Sequence, residues 1–151
     1  MKADLQHFHA DVPSLERLCK SCPKLADVIL PDGCDDDCVE ALFRGLPEVR
    51  ALSVDIEGTT GRFLSHLPAS LRRLRLTGDW NLRLGKLPAA SVTELDISDL
   101  SVDSPPAELV KLLHICPGLE QLNAMECDIT DSFLKQLPKR TPHVRNLNLE
   151  S

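Results

Sequence analysis

The sequence predicts an α/β solenoid, with a curved parallel β-sheet on the concave face and helices or irregular segments on the convex face. Three observations predict it. A six-residue pattern, apolar-x-x-apolar-x-apolar, recurs seven times along the 151 residues. Its first residues lie 20, 24, 22, 21, 27 and 25 positions apart, a period that marks stacked repeats. Hydrophobic residues make up 42% of the chain, yet aromatics are only 3% and tyrosine is absent. Aliphatic ladders must therefore fill the core. A repeat stack needs no single central core, because each unit buries its apolar edge against its neighbours.

The elements follow in chain order. Strand motifs are expected at Leu5–Ala10, Leu25–Leu30, Val49–Val54, Leu71–Leu76, Val92–Ile97, Leu119–Ala124 and Val144–Leu149. After the second motif, Asp35-Asp36-Asp37 opens a helix over Cys38–Phe43, with acidic residues at the positive end of the dipole. Arg44 and Gly45 close it, the glycine as C-cap. After the fourth, Leu76–Gly85 alternates and carries two glycines, so this return is expected to be extended or irregular. Trp80 is expected there as a buried packing plug on the convex side. After the fifth, Ser104 as N-cap with Pro105 and Pro106 at the first helical turn starts a helix over Ala107–Leu113. After the sixth, Thr130-Asp131-Ser132 starts a helix over Phe133–Leu137. Pro23, Pro47, Pro68, Pro117 and Pro142 precede five of the strands and end the return segments at one phase.

With these repeats the chain resembles the leucine-rich repeat superfamily over essentially all of residues 1–151, as a single domain of about seven repeats. Two repeats resemble the cysteine-containing subtype of F-box-type ubiquitin-ligase receptors. The sharper is Cys116-Pro-Gly-Leu119-Glu-Gln-Leu122-Asn-Ala-Met-Glu-Cys127-Asp-Ile129-Thr130-Asp131; the other runs from Cys22-Pro-Lys-Leu25 to Gly33-Cys34-Asp35-Asp36. Leu67–Leu76 resembles instead the shorter bacterial-effector type. The asparagine usual after the strand is missing at most repeats. Cys34 and Cys127 stand near its place, with Asp55, Thr77 or Ser98 elsewhere. No capping unit is recognisable at either end, as in a piece of a longer array or a chain whose ends a partner covers.

The third and fifth positions of each motif point outward by strand alternation. One row then reads His7, Asp27, Ala51, Arg73, Glu94, Gln121, Asn146, and the other His9, Ile29, Ser53, Arg75, Asp96, Asn123, Asn148. Arg73, Arg75, Glu94, Asp96, Gln121, Asn123, Asn146 and Asn148 are the candidate partner-binding residues, with the arginines as anchors. Paired across strands, the same charges would merely keep the sheet soluble.

Other constellations carry less. His7-x-His9-x-Asp11 sets three potential metal ligands on one strand face, at an end repeat and with no fourth ligand. Cys19-x-x-Cys22 and Cys34-x-x-x-Cys38 have zinc-like spacing, but an intervening strand would separate the pairs by roughly 17 Å, so buried thiols are expected. Asp35–Asp37 lacks the alternating acids of a calcium loop. His66, His114 and His143 fall at helix ends or in loops. No nucleotide-binding, dinucleotide or nucleophile-elbow fingerprint occurs, and no metal or cofactor is expected.

A net charge of −6 argues against general nucleic-acid binding. The absence of a secretory leader or a long apolar run argues against export and membrane insertion. The six cysteines then read as reduced thiols of the cytosol or nucleus. The expected function is non-catalytic protein recognition through the concave face. The F-box-type resemblance implies a substrate-recognition or adaptor arm. The alternative is a structural subunit that assembles end to end through its terminal strands.

Overall fold

A computed structural model describes residues 1–80, 82–101, 106–125, 127 and 129–149. The chain is α/β. Seven parallel strands, β1 (Lys2–Asp4), β2 (Asp27–Ile29), β3 (Ala51–Asp55), β4 (Arg73–Asp79), β5 (Glu94–Ser101), β6 (Gln121–Asn123) and β7 (Asn146–Asn148), form one sheet in sequential order. Four helices, α1 (Val12–Ser21), α2 (Asp36–Gly45), α3 (Pro106–His114) and α4 (Asp131–Arg140), and a 3-10 turn at Arg62–His66 lie in the connections.

Six of the seven motifs lie in register. Val28, Leu52, Leu74, Leu95, Leu122 and Leu147 are direct partners from strand to strand. At each strand entry one carbonyl accepts two consecutive N–H groups from the next strand. Ala26 O takes Arg50 N and Ala51 N, Arg50 O takes Arg72 N and Arg73 N, and Met1, Arg72, Thr93 and Glu120 repeat the pattern. The recurring prolines sit in the turns just before. In Cys22–Leu25, Leu46–Val49, Cys116–Leu119 and Thr141–Val144 the last N–H donates to the first carbonyl. Proline is second in each, where its fixed φ suits a turn.

The first motif is a correction. Leu5–Ala10 is not a strand. Lys2, Ala3 and Asp4 pair with Asp27, Val28 and Ile29 instead, so Leu5 occupies the last slot of the motif and the first spacing is that of its neighbours. The chain then turns, Phe8 N donating to Leu5 O, and Phe8 is 64% exposed. His7 and His9 leave the polar rows, and Lys2 and Asp4 replace them. Asp11 is no ligand on that face: it is the N-cap of α1 and accepts from Ser14 N at 2.8 Å.

Helix starts follow capping chemistry. Asp35 caps α2 by accepting from Cys38 N at 2.9 Å, and Thr130 caps α4 by accepting from Phe133 N. The start proposed for α3 at Ser104 and Pro105 lies outside the described residues. Gly45 is not the C-cap of α2. It is the last helical residue, and Leu46 caps the end. A Cβ at Gly45 would come within 2.5 Å of Cys19 Cβ on α1, so the glycine serves the close approach of two helices. Gly45→Ala is expected to cost about 1–2 kcal/mol through overpacking, although alanine is the better helix former by roughly 1 kcal/mol. Urea unfolding checks it, and a stabilised variant would show the α1–α2 contact to be loose.

The irregular return after β4 is as expected. Residues 82–93 form no helix or strand, and Trp80, Leu82 and Leu84 are buried. Glu108 and Lys111 of α3 hold it in place: Leu84 N donates to Glu108 Oε2 at 3.0 Å, and Lys111 Nζ donates to Leu84 O at 3.0 Å. The core is one apolar cluster joining Val28, Leu52, Leu74, Leu95 and Leu122 of the strands to Leu15 of α1, Leu42 of α2, Phe63, Leu112 of α3 and Phe133 of α4. Among the described residues no helix is long and apolar enough to cross a membrane.

Candidate functional site

Alternation turns one side chain of every two away from the core, and the parallel register lines these up from strand to strand. Arg73, Glu94, Gln121 and Asn146 stand side by side in one row, and Arg75, Asp96, Asn123 and Asn148 in the other. All eight candidate residues border a single cavity of about 1040 Å³ over this face of the sheet. Towards β3 and β2 the rows continue as Ala51 with Asp27 and Ser53 with Ile29. Small side chains thus leave open floor beside the arginines.

The face divides into two halves. Around β4 the charges are paired. Arg73 lies 3.8 Å from Asp27 across the small residues of β3 and 4.0 Å from Glu94 on the other side. Arg75 lies 3.9 Å from Asp96 and donates a hydrogen bond to Asp99. That hydrogen bond holds the Arg75 guanidinium above its ordinary pKa against the opposing effect of burial. The arginines are thus shared between carboxylates, which differs from free anchors. Asp96 is fixed in turn by Ser98, whose N–H and hydroxyl both donate to its Oδ1, at 3.0 and 2.7 Å. Over β6 and β7 the two rows are a block of four carboxamides, with Gln121 opposite Asn146 and Asn123 opposite Asn148, and Arg145 borders the cavity just before β7. The Oδ1 of Asn123 is buried and accepts no hydrogen bond among the described residues.

Asp99 belongs to this face and was missed. The β4–β5 pairing slips by one residue after Arg75, so Thr77 faces Asp99. The sequence signal was there: Leu100, which is buried like Ile97, follows it by three positions instead of two, the mark of an extra residue in a strand.

The other candidates are dispersed. Cys19, Cys34, Cys38 and Cys116 are buried. Burial pushes the thiols of Cys34 and Cys116 up to about 12, with the neighbouring Cys38 adding to the effect on Cys34. Cys38 lies 3.9 Å from the Ala10 carbonyl, and Cys127 Sγ donates to the Ile97 carbonyl of β5 at 3.0 Å. His66 and His114 end the 3-10 turn and α3, and His143 lies in the turn before β7. No protein-family model and no curated protein matches the chain.

Proposed function

We propose that this protein is a non-catalytic recognition module of leucine-rich-repeat type, binding a protein partner on the polar face of its sheet. The observation that carries the reading is the convergence of all eight outward candidates on one cavity of about 1040 Å³. The strand-entry hydrogen bonds, repeated at one phase from Met1 to Asn146, support a solenoid built of near-equivalent units. The Cys116–Asp131 resemblance favours, within that class, a substrate-recognition or adaptor arm of a ubiquitin-ligase-type complex.

The test is a pair of charge reversals. Arg73 and Arg75 are about half exposed, so Arg73→Glu and Arg75→Glu should each shift stability by no more than about 1 kcal/mol. Partner capture from native lysate, quantified against the wild type, should fall about tenfold for the double variant. Unchanged capture with unchanged circular dichroism would remove this face from the function.

A second reading, assembly through the edge strands, draws on a separate observation. Leu147 is exposed and borders a cavity of about 310 Å³ that Leu137, Pro138, Pro142 and Val144 also line. Light scattering over a concentration series distinguishes it, since growth in mass without a foreign partner belongs to assembly alone.

A further inference from the structure

The electrostatics of the sheet face reach further than the presence of a binding surface, to the chemistry of what binds. Six carboxylates border the large cavity, Asp27, Asp32, Asp55, Glu94, Asp96 and Asp99, against four cationic side chains. Two of those four, Arg73 and Arg75, are each held between two of the carboxylates. Asp32 and Asp55 have no ion-pair partner among the described residues, and neither have the other two cations, Lys2 and Arg145, so the net excess of two negative charges belongs to the Arg73 and Arg75 clusters, each one arginine against two carboxylates. An acidic partner finds Lys2 and Arg145 only at the two ends of the sheet, and over its centre would have to strip Arg73 and Arg75 from pairs already made. A basic partner meets uncompensated negative charge directly.

The carboxamide rows ask for an extended main chain. A carboxamide offers one acceptor and one donor head, the pair that a peptide main chain requires. The Oδ1 of Asn123 is buried and unsatisfied, and a turn of the side chain toward the cavity it borders would let it accept an incoming N–H. From β2 to β7 the face is roughly 24 Å wide, the reach of about seven extended residues.

Resting on the recognition reading above, we infer that the occupant of this cavity is an extended, basic peptide segment. Its lysine or arginine side chains sit over the carboxylates of β2–β5, and its main chain is hydrogen-bonded by the carboxamides of β6 and β7. Electrostatic complementarity of this kind sets the sign of the partner and the salt dependence of its capture.

The probes are two fluorescein-labelled peptides of about ten residues, one alternating lysine with serine and the other glutamate with serine. Binding is read by fluorescence anisotropy at about 20 and 150 mM salt. The lysine peptide should bind about tenfold more tightly than the glutamate peptide at low salt, and lose most of that advantage at the higher salt. Asp32→Asn with Asp55→Asn should weaken lysine-peptide binding about tenfold. Glu16→Gln with Glu48→Gln makes the same change in net charge at exposed positions away from the cavity lining and should leave binding unchanged. Asn123→Ala should weaken it several-fold at both salt concentrations, since that contact is neutral.

Equal weakening by the Glu16/Glu48 pair would show that the peptide senses only the overall charge, and the inference falls. Tighter binding of the glutamate peptide, abolished by Arg73→Glu with Arg75→Glu, would overturn the basic occupant while leaving recognition through this face intact. Binding of both peptides indifferent to every substitution on the face would overturn both.

Discussion

Truncating Leu74 to alanine will lower the free energy of unfolding by about 4 kcal/mol, within the range measured for buried leucines. Leu74 is 1% exposed on the central strand, with Leu52 and Leu95 as its partners on either side. Its neighbours belong to strands held by their own hydrogen bonds, so the site cannot collapse and a cavity remains. Leu147 occupies the same motif position on β7 and, among the described residues, has Leu122 as its only strand partner. It is 44% exposed, a departure from the inward burial that the motif predicts. Leu147→Ala should therefore cost only about 1 kcal/mol. Urea denaturation of the two variants, with unchanged m-values, measures the difference directly. Equal costs would mean that the motif's apolar positions do not form one graded core.

The contrast between these leucines shows how far the repeat was legible. Six motifs gave the strand phases and the two polar rows correctly, because strand alternation and a period of 21 to 27 residues are local and redundant. The first failed for a physical reason. Leu5, Phe8 and Ala10 have the right apolar spacing, but Leu5 closes a motif begun upstream. The stretch that follows must hold a helix start, Asp11-Val12-Pro13-Ser14, which the 20-residue first spacing leaves little room for. The two rows of the candidate face were legible from β2 to β7, whereas Lys2, Asp99 and the charge pairing were not. Which carboxylate holds which arginine depends on the residue that slips at the β4–β5 pairing and on side chains reaching across Ala51 and Ser53. Gly45 shows the same limit. Its place at a helix end is local information, whereas the Cys19 side chain pressed against it comes from 26 residues away.

Asp35, Asp36 and Asp37 take that limit furthest, and the middle one carries the second large effect: Asp36→Ala should destabilise the protein by about 3 kcal/mol, or roughly 10 °C in melting temperature for a chain of this size. The three residues are chemically identical and adjacent, and the fold gives them three environments. Asp35 caps α2. Asp37 lies on the surface in an ion pair with Arg62. Asp36 is buried and accepts three hydrogen bonds, from Thr60 N at 2.7 Å, Thr60 Oγ1 at 2.7 Å and Phe63 N at 3.0 Å. It thereby ties the start of α2 to the 3-10 turn that replaces a helix in the next return. Alanine would leave the buried Phe63 N–H without a partner, whereas Asp36→Asn keeps one acceptor oxygen and should cost about half as much. Asp35→Ala should cost about 1 kcal/mol as a lost cap, and Asp37→Ala less than about 0.5 kcal/mol as a surface pair. The pH dependence separates Asp36 from a packing effect. Burial raises its pKa, but the hydrogen bonds and Arg62 outweigh burial and hold it below the usual 3.8. A depressed carboxylate contributes stability that is fully present above the unfolded value and is lost as pH falls through the folded one. The difference in unfolding free energy between wild type and Asp36→Ala should therefore be constant at neutral pH and shrink below about pH 3.8. A gap that persists unchanged into acid would mean that the charged carboxylate is not what holds α2 to the turn.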